Sequence, residues 1–398
     1  MENVYTPEQV IKIRQKESTL PDALKRDPSV NYTEGWFFVT LNTRNEVPIL
    51  STCEGSPDIP DGEPGAPYCD YTELGKCVLD AWKRNEEIYD HVMVDIAEAM
   101  PEHFHGLIYL QPGNKRHLGQ IIKGFMIGCS HAYWDILGIP WREMTYTKGV
   151  RTPQYNDKDH TKSFRGPALF VRGYNDMEPI TLEEVEIKRA YIRDQARRRL
   201  LKSSHPSAFA ISRNHHSHNW HLAAVLRGLQ RDSWFFSHPA ELEQKYQNVQ
   251  ARLNMTEERI LNLDYLGNRS ILFRPRKVSL ICHRADIDRF EQQAEAVMQA
   301  ARGGAVVVSA FISERERAIR ERLVSEQLTV TELTDNGFSD RYKPAGRSFY
   351  ACAEGWLLQL SCWTYVYTKE TKISREACLT MNELARIISN VPDDWWKG

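Results

Sequence analysis

An apolar run over residues 95–110, DIAEAMPEHFHGLIYL, carries two histidines one residue apart and constrains the fold more than any other stretch of the chain. If residues 102–110 form a strand, successive side chains alternate between the two faces of a sheet. His103 and His105 then lie on one face, about 7 Å apart at ~3.3 Å per residue, and Phe104 points into a core on the other face. Two imidazoles in this arrangement can bind one divalent cation, although such pairs also occur as ordinary surface or core histidines.

The length of 398 residues predicts two or three domains. The chain is 41% hydrophobic and 26% charged, as in ordinary globular proteins, and no apolar run approaches the ~18 residues of a membrane helix. The polar N-terminus, MENVYTPEQVIKIRQ, lacks the apolar segment of a secretion signal, so we expect a cytoplasmic protein with no membrane partner. Eight scattered cysteines without a CxxC motif predict reduced thiols. Because the net charge is −2, binding of nucleic acid would require locally concentrated cations.

Hydrophobic periodicity in the first half predicts an α+β domain over residues 1–204. Strands are expected over residues 35–42, 91–97, 102–110 and 168–172, helices over 71–88 and 118–137, and a long loop over 45–67. Thr181, followed three residues later by Glu184, matches a capping box and predicts a helix that continues to about Lys202.

The second half has a different pattern. Short apolar runs occupy residues 278–282, 305–311, 328–333 and 357–360, and helical segments at 286–302 and 314–326 separate the first three. Strands that alternate with helices predict a parallel α/β sheet. We therefore expect a parallel-sheet domain over residues 271–398, joined to the first domain by a mostly helical connector over 205–270. The fold class of the whole chain is predicted to be α/β.

The predicted helix over residues 181–202 places Tyr191 and Gln195 on one face, one turn apart. The helix is also rich in cations that suit DNA phosphates, namely Lys188, Arg189, Arg193, Arg197, Arg198, Arg199 and Lys202. A lone tyrosine on a basic helix is usually a packing residue. Combined with the histidine pair, however, the Gln195 oxygen would complete a site for Mg²⁺ or Mn²⁺ with positions open to a phosphate oxygen, and the imidazoles would also suit zinc. Tyr191 would then be the nucleophile of a transesterification that forms a phosphotyrosine.

Five segments resemble one known family, in the same order along the chain. AMPEHFHGLIYL resembles the MPNHxHxxxx signature of the REP-associated tyrosine transposases, which are single-tyrosine HUH endonucleases, and AYIRDQARRRLL resembles their YIxxNPxxxxL segment. GWFFVTLNTRNE resembles the opening strand of that family, LGQIIKGFMIGCSHAYW its helix after the histidine strand, and ALFVRGYNDM the strand before its tyrosine helix. The resemblance covers residues 30–202.

The resemblance implies a small antiparallel sheet with helices on one side, a ferredoxin-like HUH domain. It implies that His103 and His105 bind the metal, that Tyr191 is the nucleophile, and that Gln195 stands where the family has Asn or Gln. Such proteins cleave single-stranded DNA near hairpins and leave a 5′-phosphotyrosine and a free 3′-hydroxyl. This chain departs from the family in two respects: it lacks the NP after the tyrosine, and it has Glu102 where Asn is usual. Strand alternation would direct Glu102 away from the metal.

The second half resembles a Rossmann-like domain of the DNA-processing-protein/lysine-decarboxylase-like kind. The resemblance rests on YLGNRSIL, RKVSLICHR, GGAVVVSAFISERERAI, DNGF and KPAGRSFYACAEG. It implies ligands beyond the carboxyl ends of the strands, near Ser309, Ser313, Glu314 and Asn336. The domain could bind a nucleotide or nucleic acid, or serve only as a scaffold or dimerisation unit. A separate segment, NHHSHNWH, could hold a second metal or form a polar loop.

The leading hypothesis is therefore an enzyme, a metal-dependent transposase-type nuclease that cleaves and transfers single-stranded or hairpin DNA through Tyr191. Arg172 and Asn175 are further candidates for contacts with the DNA near the site. One alternative is a host-retained nucleic-acid-binding protein that has lost cleavage. Another places a nucleotide-processing activity in the second half. The sequence leaves the choice between monomer and homodimer open.

Overall fold

The structure is a computed structural model that describes residues 29–141, 166–340, 342–367 and 373–397. The chain divides into two units, residues 1–201 and 202–398. Within the described residues, helices are combined with antiparallel and mixed sheets, which is consistent with the expected α/β class. No helix in these ranges is long and apolar enough to cross a membrane. The eight cysteines all lie within them and are free thiols.

The described residues of the first unit form six strands and five helices, the last of which ends just beyond the unit boundary. The strands are β1 (Gly35–Asn42), β2 (Ser51–Glu54), β3 (Tyr68–Tyr71), β4 (Val92–Met100), β5 (His103–Leu110) and β6 (Asn175–Met177). The helices are α1 (Glu73–Lys83), α2 (Asn85–Ile88), α3 (Leu118–Ile136), α4 (Leu182–Arg193) and α5 (Gln195–Ser204). Strands β4, β5, β1 and β6 form one antiparallel sheet in that order, and β2 and β3 form a separate hairpin.

Both faces of the four-stranded sheet are covered because both carry apolar side chains. On one face, Phe37 and Phe104 pack with Trp82 of α1 and Phe125 of α3. Gly106 permits this contact, since a Cβ there would lie 2.5 Å from the Trp82 ring. On the other face, Phe38 and Leu107 pack with Val185 and Ile192 of α4. Helices on one side only, as the resemblance implied, would have left this second apolar cluster in water.

Several element boundaries differ from the sequence-based expectation. No strand forms over residues 168–172, where Phe170 makes only an isolated bridge to Thr43, and β6 occupies the sheet edge instead. The expected helix over 181–202 is interrupted at Asp194, the C-cap of α4, and α5 begins at the next residue. The expected loop over 45–67 contains a strand, β2, which pairs with β3 immediately after the loop. These changes follow from pairing and packing partners that are distant in sequence, which local periodicity does not report.

The second unit is built on a six-stranded sheet. Its strands are β7 (Ser212–His221), β8 (Ile260–Gly267), β9 (Lys277–Ser279), β10 (Val306–Ser309), β11 (Val330–Leu333) and β12 (Leu357–Ser361), in the order β7-β8-β12-β11-β10-β9. Strands β9 to β12 are parallel, whereas β8 and β7 are antiparallel to their neighbours. The sheet is therefore mixed rather than wholly parallel.

The helices of the second unit lie between and after these strands. They are α6 (Leu222–Gln230), α7 (Ser233–Ser237), α8 (Pro239–Arg252), α9 (Phe290–Arg302), α10 (Glu314–Ser325), α11 (Gly346–Ala353) and α12 (Arg375–Ser389). The expected connector over 205–270 thus contains helices α6 to α8, but it also supplies β7 and β8 to the sheet. The ILNLDYLG segment of β8 is buried over its six central residues, so it belongs to the core of this unit.

The carboxylate of Asp393 joins two basic side chains near the end of the chain. It accepts hydrogen bonds from His283 Nε2 at 2.7 Å and from Arg386 Nε and Nη2 at 2.8 and 2.7 Å. Burial opposes ionisation of this carboxyl, but the hydrogen bonds from His283 and Arg386 outweigh it and hold its pKa well below the ordinary value.

Replacing Asp393 with asparagine is expected to lower the free energy of unfolding by about 2 kcal/mol at neutral pH, because Arg386 would lose its charged partner. A depressed folded-state pKa stabilises above the unfolded-state pKa, near 4, and this contribution is lost as the pH falls towards the folded value. The difference between wild type and variant should therefore shrink below about pH 4 in urea unfolding. Asp394→Asn, at an exposed neighbour, is the control. A difference independent of pH would contradict the role given to this ion pair.

Candidate active site

Four polar residues lie in one row across the antiparallel sheet. The strand register places Asn175 of β6 opposite Thr40 of β1, Thr40 opposite His105 of β5, and His105 opposite Glu98 of β4. Directly opposite residues of antiparallel strands share a face, so the four side chains lie on the same side of the sheet. The α4 helix packs on this same face, beside Phe38 and Leu107.

The two histidines and the tyrosine predicted from the sequence meet on this face. The His103 and His105 ring centroids are 4.7 Å apart, and the Tyr191 ring centroid lies 5.5 Å from that of His105. Phe38 supports both partners, stacking on His105 at 5.1 Å and meeting Tyr191 edge-on at 5.9 Å. His105 is only 5% exposed and Tyr191 is 37% exposed. The site therefore has a buried histidine at its base and a tyrosine that reaches solvent.

Thr40 fixes the orientation of the buried histidine. Its Oγ1 lies 2.9 Å from His105 Nδ1, within hydrogen-bond distance. The Phe38 ring restricts the same imidazole from the side. A hydrogen bond to one ring nitrogen of this kind orients the imidazole, as the outer partners of metal-binding histidines do.

Gln195 lies at the first position of α5, one turn after Tyr191. Its side chain is buried, and Nε2 donates to the Tyr191 carbonyl at 2.9 Å, so the i, i+4 relation survives the break at Asp194. The amide nitrogen is thereby engaged, and Oε1 is the atom of this side chain that could bind a cation. Ring contacts join His103, His105 and Tyr191, whereas Gln195 is linked to this group through the Tyr191 carbonyl.

Glu102 lies beside the histidine pair. Strand alternation had predicted that it would lie on the opposite face of the sheet, and that prediction is wrong. The reason is that β5 begins at His103, so Glu102 belongs to the turn after β4 and does not follow the strand pattern. Its Oε1 is 3.5 Å from His103 Nδ1 and accepts a hydrogen bond from Arg199 at 2.8 Å. Burial opposes ionisation of this carboxyl, but the hydrogen bond to His103 and the charge of Arg199 outweigh it and lower its pKa.

Glu98 is a second acidic neighbour that the sequence reading did not single out. Burial raises its pKa, and the hydrogen bond that it accepts from Tyr71 Oη at 2.6 Å only partly offsets this. The sequence contains one signal for Glu98, a carboxyl within the apolar segment IAEAM. Glu98 is two residues before Met100, so the two side chains lie on one face of β4.

The predicted DNA-contacting cations divide into two groups. Arg189 is paired with Asp95 and Glu186, and Arg197 donates to the Ile59 carbonyl at 2.8 Å and to Asp61 at 2.6 Å, so both are bound within the unit. The others lie at or near the site or are exposed. Arg198 lies over the Tyr191 ring at 5.5 Å, Lys188 lies over the Phe38 ring at 5.1 Å, and Arg193 and Arg172 are exposed.

The donor groups at the site are of the types that a divalent cation takes. Imidazole nitrogens and an amide oxygen are donors for Mn²⁺, Mg²⁺ or zinc. Glu102 Oε2 is buried and has no hydrogen-bond partner among the described residues, so an oxygen with negative charge lies beside His103. Among the described residues, no group of three or more His, Cys, Asp or Glu side chains could hold a metal ion. A third ligand beside the two histidines would therefore have to come from another donor, such as the amide oxygen of Gln195.

Three of the four residues predicted from the second resemblance are engaged in local structure, and the fourth, Glu314, is exposed at the start of α10. Ser313 caps α10 together with Glu316, and Asn336 donates to the Val366 carbonyl at 2.7 Å. Ser309 accepts from the backbone of Phe311 at 3.0 Å. In the histidine-rich segment, His215 contacts Ser212 Oγ at 2.5 Å on edge strand β7. The structure describes no side chain for His218, so a second metal site there lies partly outside the described residues.

The geometry defines a candidate centre of two histidines and a tyrosine on an antiparallel sheet. No protein-family model and no curated protein matches the chain. Five chains of known structure match it. One is a crystal structure of a "putative transposase" from Deinococcus radiodurans R1, which is 14% identical and aligns over 43% of this chain and 98% of that chain with a TM-score of 0.22. A similarity this weak supports no conclusion about this chain.

Proposed function

We propose that this protein cleaves and rejoins single-stranded or hairpin DNA through a covalent link to Tyr191, with Mg²⁺ or Mn²⁺ as cofactor, as an HUH-type transposase does. The observation that carries the proposal is the contact of Tyr191 with His105, which itself contacts His103. Tyr191 is 86 positions after His105 and 88 after His103 in the sequence. The strand–helix–strand–strand–helix–strand connection of the four-stranded sheet supports a ferredoxin-like HUH domain.

Each side chain has a role that follows from its position. Tyr191 Oη attacks the phosphorus, a new O–P bond forms, and the 3′-oxygen leaves and takes up a proton. A bound divalent cation would polarise the scissile phosphate and offset its developing charge. His103, His105 and Gln195 would hold that cation, and Thr40 would orient His105. Arg198, which lies over the Tyr191 ring at 5.5 Å, would contact the scissile phosphate beside the tyrosine.

Cations at and near the site would position the DNA backbone. Lys188 and Arg193 lie on α4, Arg198 lies on α5 with its side chain 13% exposed and 3.9 Å from Asp194, and Arg172 precedes β6. Phosphate contacts of this kind fix register without reading sequence. Arg189 and Arg197 are engaged by acidic or carbonyl groups of the protein, so we assign them to structure rather than to DNA contact.

The test is covalent trapping. The full chain is mixed with labelled hairpin and single-stranded oligonucleotides, with Mn²⁺ or with chelator, and run on a denaturing gel. A metal-dependent adduct that peptide mapping places on Tyr191 is the expected result. Tight binding without an adduct over a broad set of hairpins would instead support the alternative of a nucleic-acid-binding protein that has lost cleavage.

Replacing Thr40 with valine is expected to weaken Mn²⁺ binding about tenfold, because the variant keeps the shape of the side chain but cannot hold His105 Nδ1. The affinity can be measured by Mn²⁺ titration followed by electron paramagnetic resonance. Thr52→Val, at an exposed position of β2, provides the matched control and should bind Mn²⁺ as the wild type does. An unchanged affinity in Thr40→Val would show that Thr40 does not orient a metal ligand.

A second candidate function, nucleotide binding, belongs to the second unit. An open cavity of about 350 Å³ there is lined by three aromatic rings, Phe209, Tyr342 and Phe349, and by the cations Lys202 and Lys343, while Arg213 in the same lining is paired with Asp340. Rings that can stack on a base and cations that can meet a phosphate suit a nucleotide. Titration of the full chain with ATP, compared with Phe349→Ala, tests this. Binding lost in the variant supports it, and no binding up to millimolar ATP excludes it.

A further inference from the structure

Three sulfur atoms cluster beside the first helical turn of α5. Cys53 of β2 and Cys69 of β3 are directly opposite in the hairpin, with their Sγ atoms 3.8 Å apart. Cys69 Sγ also lies 3.7 Å from Met100 Sδ. Cys69 and Met100 pack with Ala196, the residue after Gln195. The two thiols thus face each other at van der Waals distance, next to the helix that carries the proposed ligand.

The same hairpin holds α5 at a second point. Its loop carbonyls, Pro57 O and Ile59 O, and the Asp61 carboxylate accept hydrogen bonds from Arg197. Ala196 and Arg197 are consecutive, so both contacts act on one turn of α5. A change in the spacing of β2 and β3 would therefore be transmitted to this turn.

The two thiols are chemically unequal. Cys53 is half-buried, whereas Cys69 is 9% exposed. The hydrogen bond from Cys69, with help from the charge of Arg199, lowers the pKa of Cys53, while the same contact together with burial raises the pKa of Cys69. Cys53 is therefore the more readily ionised and the more accessible of the two thiols, which suits it as the attacking nucleophile, and Cys69 suits the part of the resolving thiol.

We propose that Cys53 and Cys69 form a redox modification site, in which a peroxide converts the pair reversibly to a cross-strand disulfide that loosens the packing of α5. The Cys53 thiolate attacks one oxygen of hydrogen peroxide, an S–O bond forms as the O–O bond breaks, and the departing hydroxide takes up the proton released by Cys53. The Cys69 sulfur then attacks the Cys53 sulfur and expels the oxygen as water together with the Cys69 proton. The thiols lose two electrons and the peroxide gains two.

The structural consequence follows from the distances. The sulfur atoms must approach from 3.8 Å to about 2.05 Å to bond. We expect movement of the Cys69 sulfur towards Cys53 to lengthen its contacts with Met100 and Ala196 and so to leave the first turn of α5 less well packed. Because Gln195 is in that turn, the modification would also lower the proposed cleavage activity, and this last effect alone rests on the proposed function.

The experiment treats the full chain with hydrogen peroxide, alkylates the remaining thiols and digests with a protease that cleaves after glutamate. Cleavage at Glu54 separates Cys53 from Cys69, so their disulfide appears as a linked peptide pair. Hydrogen exchange of residues 195–201 is measured on the same samples. Cys53→Ser removes the pair, and Cys282→Ser, at another half-buried cysteine, is the matched control.

We expect the Cys53–Cys69 linkage to form before other cysteines react and to be reversed by dithiothreitol. Exchange in the first turn of α5 should rise about fivefold in the oxidised wild type and in Cys282→Ser, but not in Cys53→Ser. Alkylation of Cys53 and Cys69 after peroxide treatment, or a disulfide with unchanged exchange, would overturn the proposal. If the reduced protein forms no DNA adduct, the proposed function fails. The linkage and exchange results still decide whether Cys53 and Cys69 form a redox site.

Discussion

Tyr191→Phe is expected to abolish the metal-dependent DNA adduct, with a loss of at least about 10³-fold in cleavage rate, equivalent to about 4 kcal/mol of transition-state stabilisation. The variant removes only the hydroxyl that would attack the phosphorus. The ring contacts with His105 and Phe38 remain possible, so the site keeps its shape. Cleavage is measured with labelled hairpin oligonucleotides, and the adduct by denaturing gel.

The fold should tolerate this change because Tyr191 is 37% exposed. DNA affinity and the urea midpoint are expected to match the wild type. Tyr109→Phe provides the matched control, since Tyr109 is on the same face of β5 as His105 but stacks on Trp36 at 4.9 Å, away from Tyr191. An adduct that persists in Tyr191→Phe would identify another nucleophile.

His103→Ala is expected to weaken Mn²⁺ binding by about 100-fold or more and to reduce cleavage by about 10³-fold, because one of the two imidazole ligands is lost. His103 is the better choice for truncation, since its side chain is 20% exposed, whereas His105 is buried against Phe38. Loss of His103 therefore leaves a smaller defect in the core. Mn²⁺ titration separates loss of metal from loss of chemistry.

The control is His91→Ala, which removes an exposed histidine at the opposite end of β4 from Met100. It should bind metal and cleave DNA as the wild type does. High Mn²⁺ concentrations should partly restore cleavage in His103→Ala if the defect is one of affinity. Wild-type affinity in His103→Ala would remove this histidine from the proposed metal site.

Period-2 alternation predicted the central strands correctly. The run around Phe104 places Phe104 on one face of β5 and the two histidines on the other, as expected, because burial of Phe104 leaves only one register. The expected strand at residues 35–42 coincides with β1, and the four apolar runs of the second half all became strands of one sheet. These elements have strong local signals, and their neighbours on the sheet reinforce them.

Predictions that depended on long-range partners were less accurate. The interruption of the tyrosine helix at Asp194 has no breaker residue in the sequence, and Glu102 joins His103 only because a turn precedes β5. Strand β8 was missed because its buried segment lies among helices, and its partner β12 is about 90 residues later in the chain. None of these three features produces a hydrophobic periodicity that can be recognised in the sequence.

The sequence by itself determined which groups are available for chemistry, namely two histidines on one face of a strand and a tyrosine and a glutamine one helical turn apart. Their meeting was decided by the tertiary structure. Phe38 and Leu107 form an apolar cluster on the histidine face, and burial of Val185 and Ile192 against that cluster brings α4 onto the sheet with Tyr191 over His105. Hydrophobic burial is non-directional, so only the packed sheet and helix fix which polar side chains become neighbours.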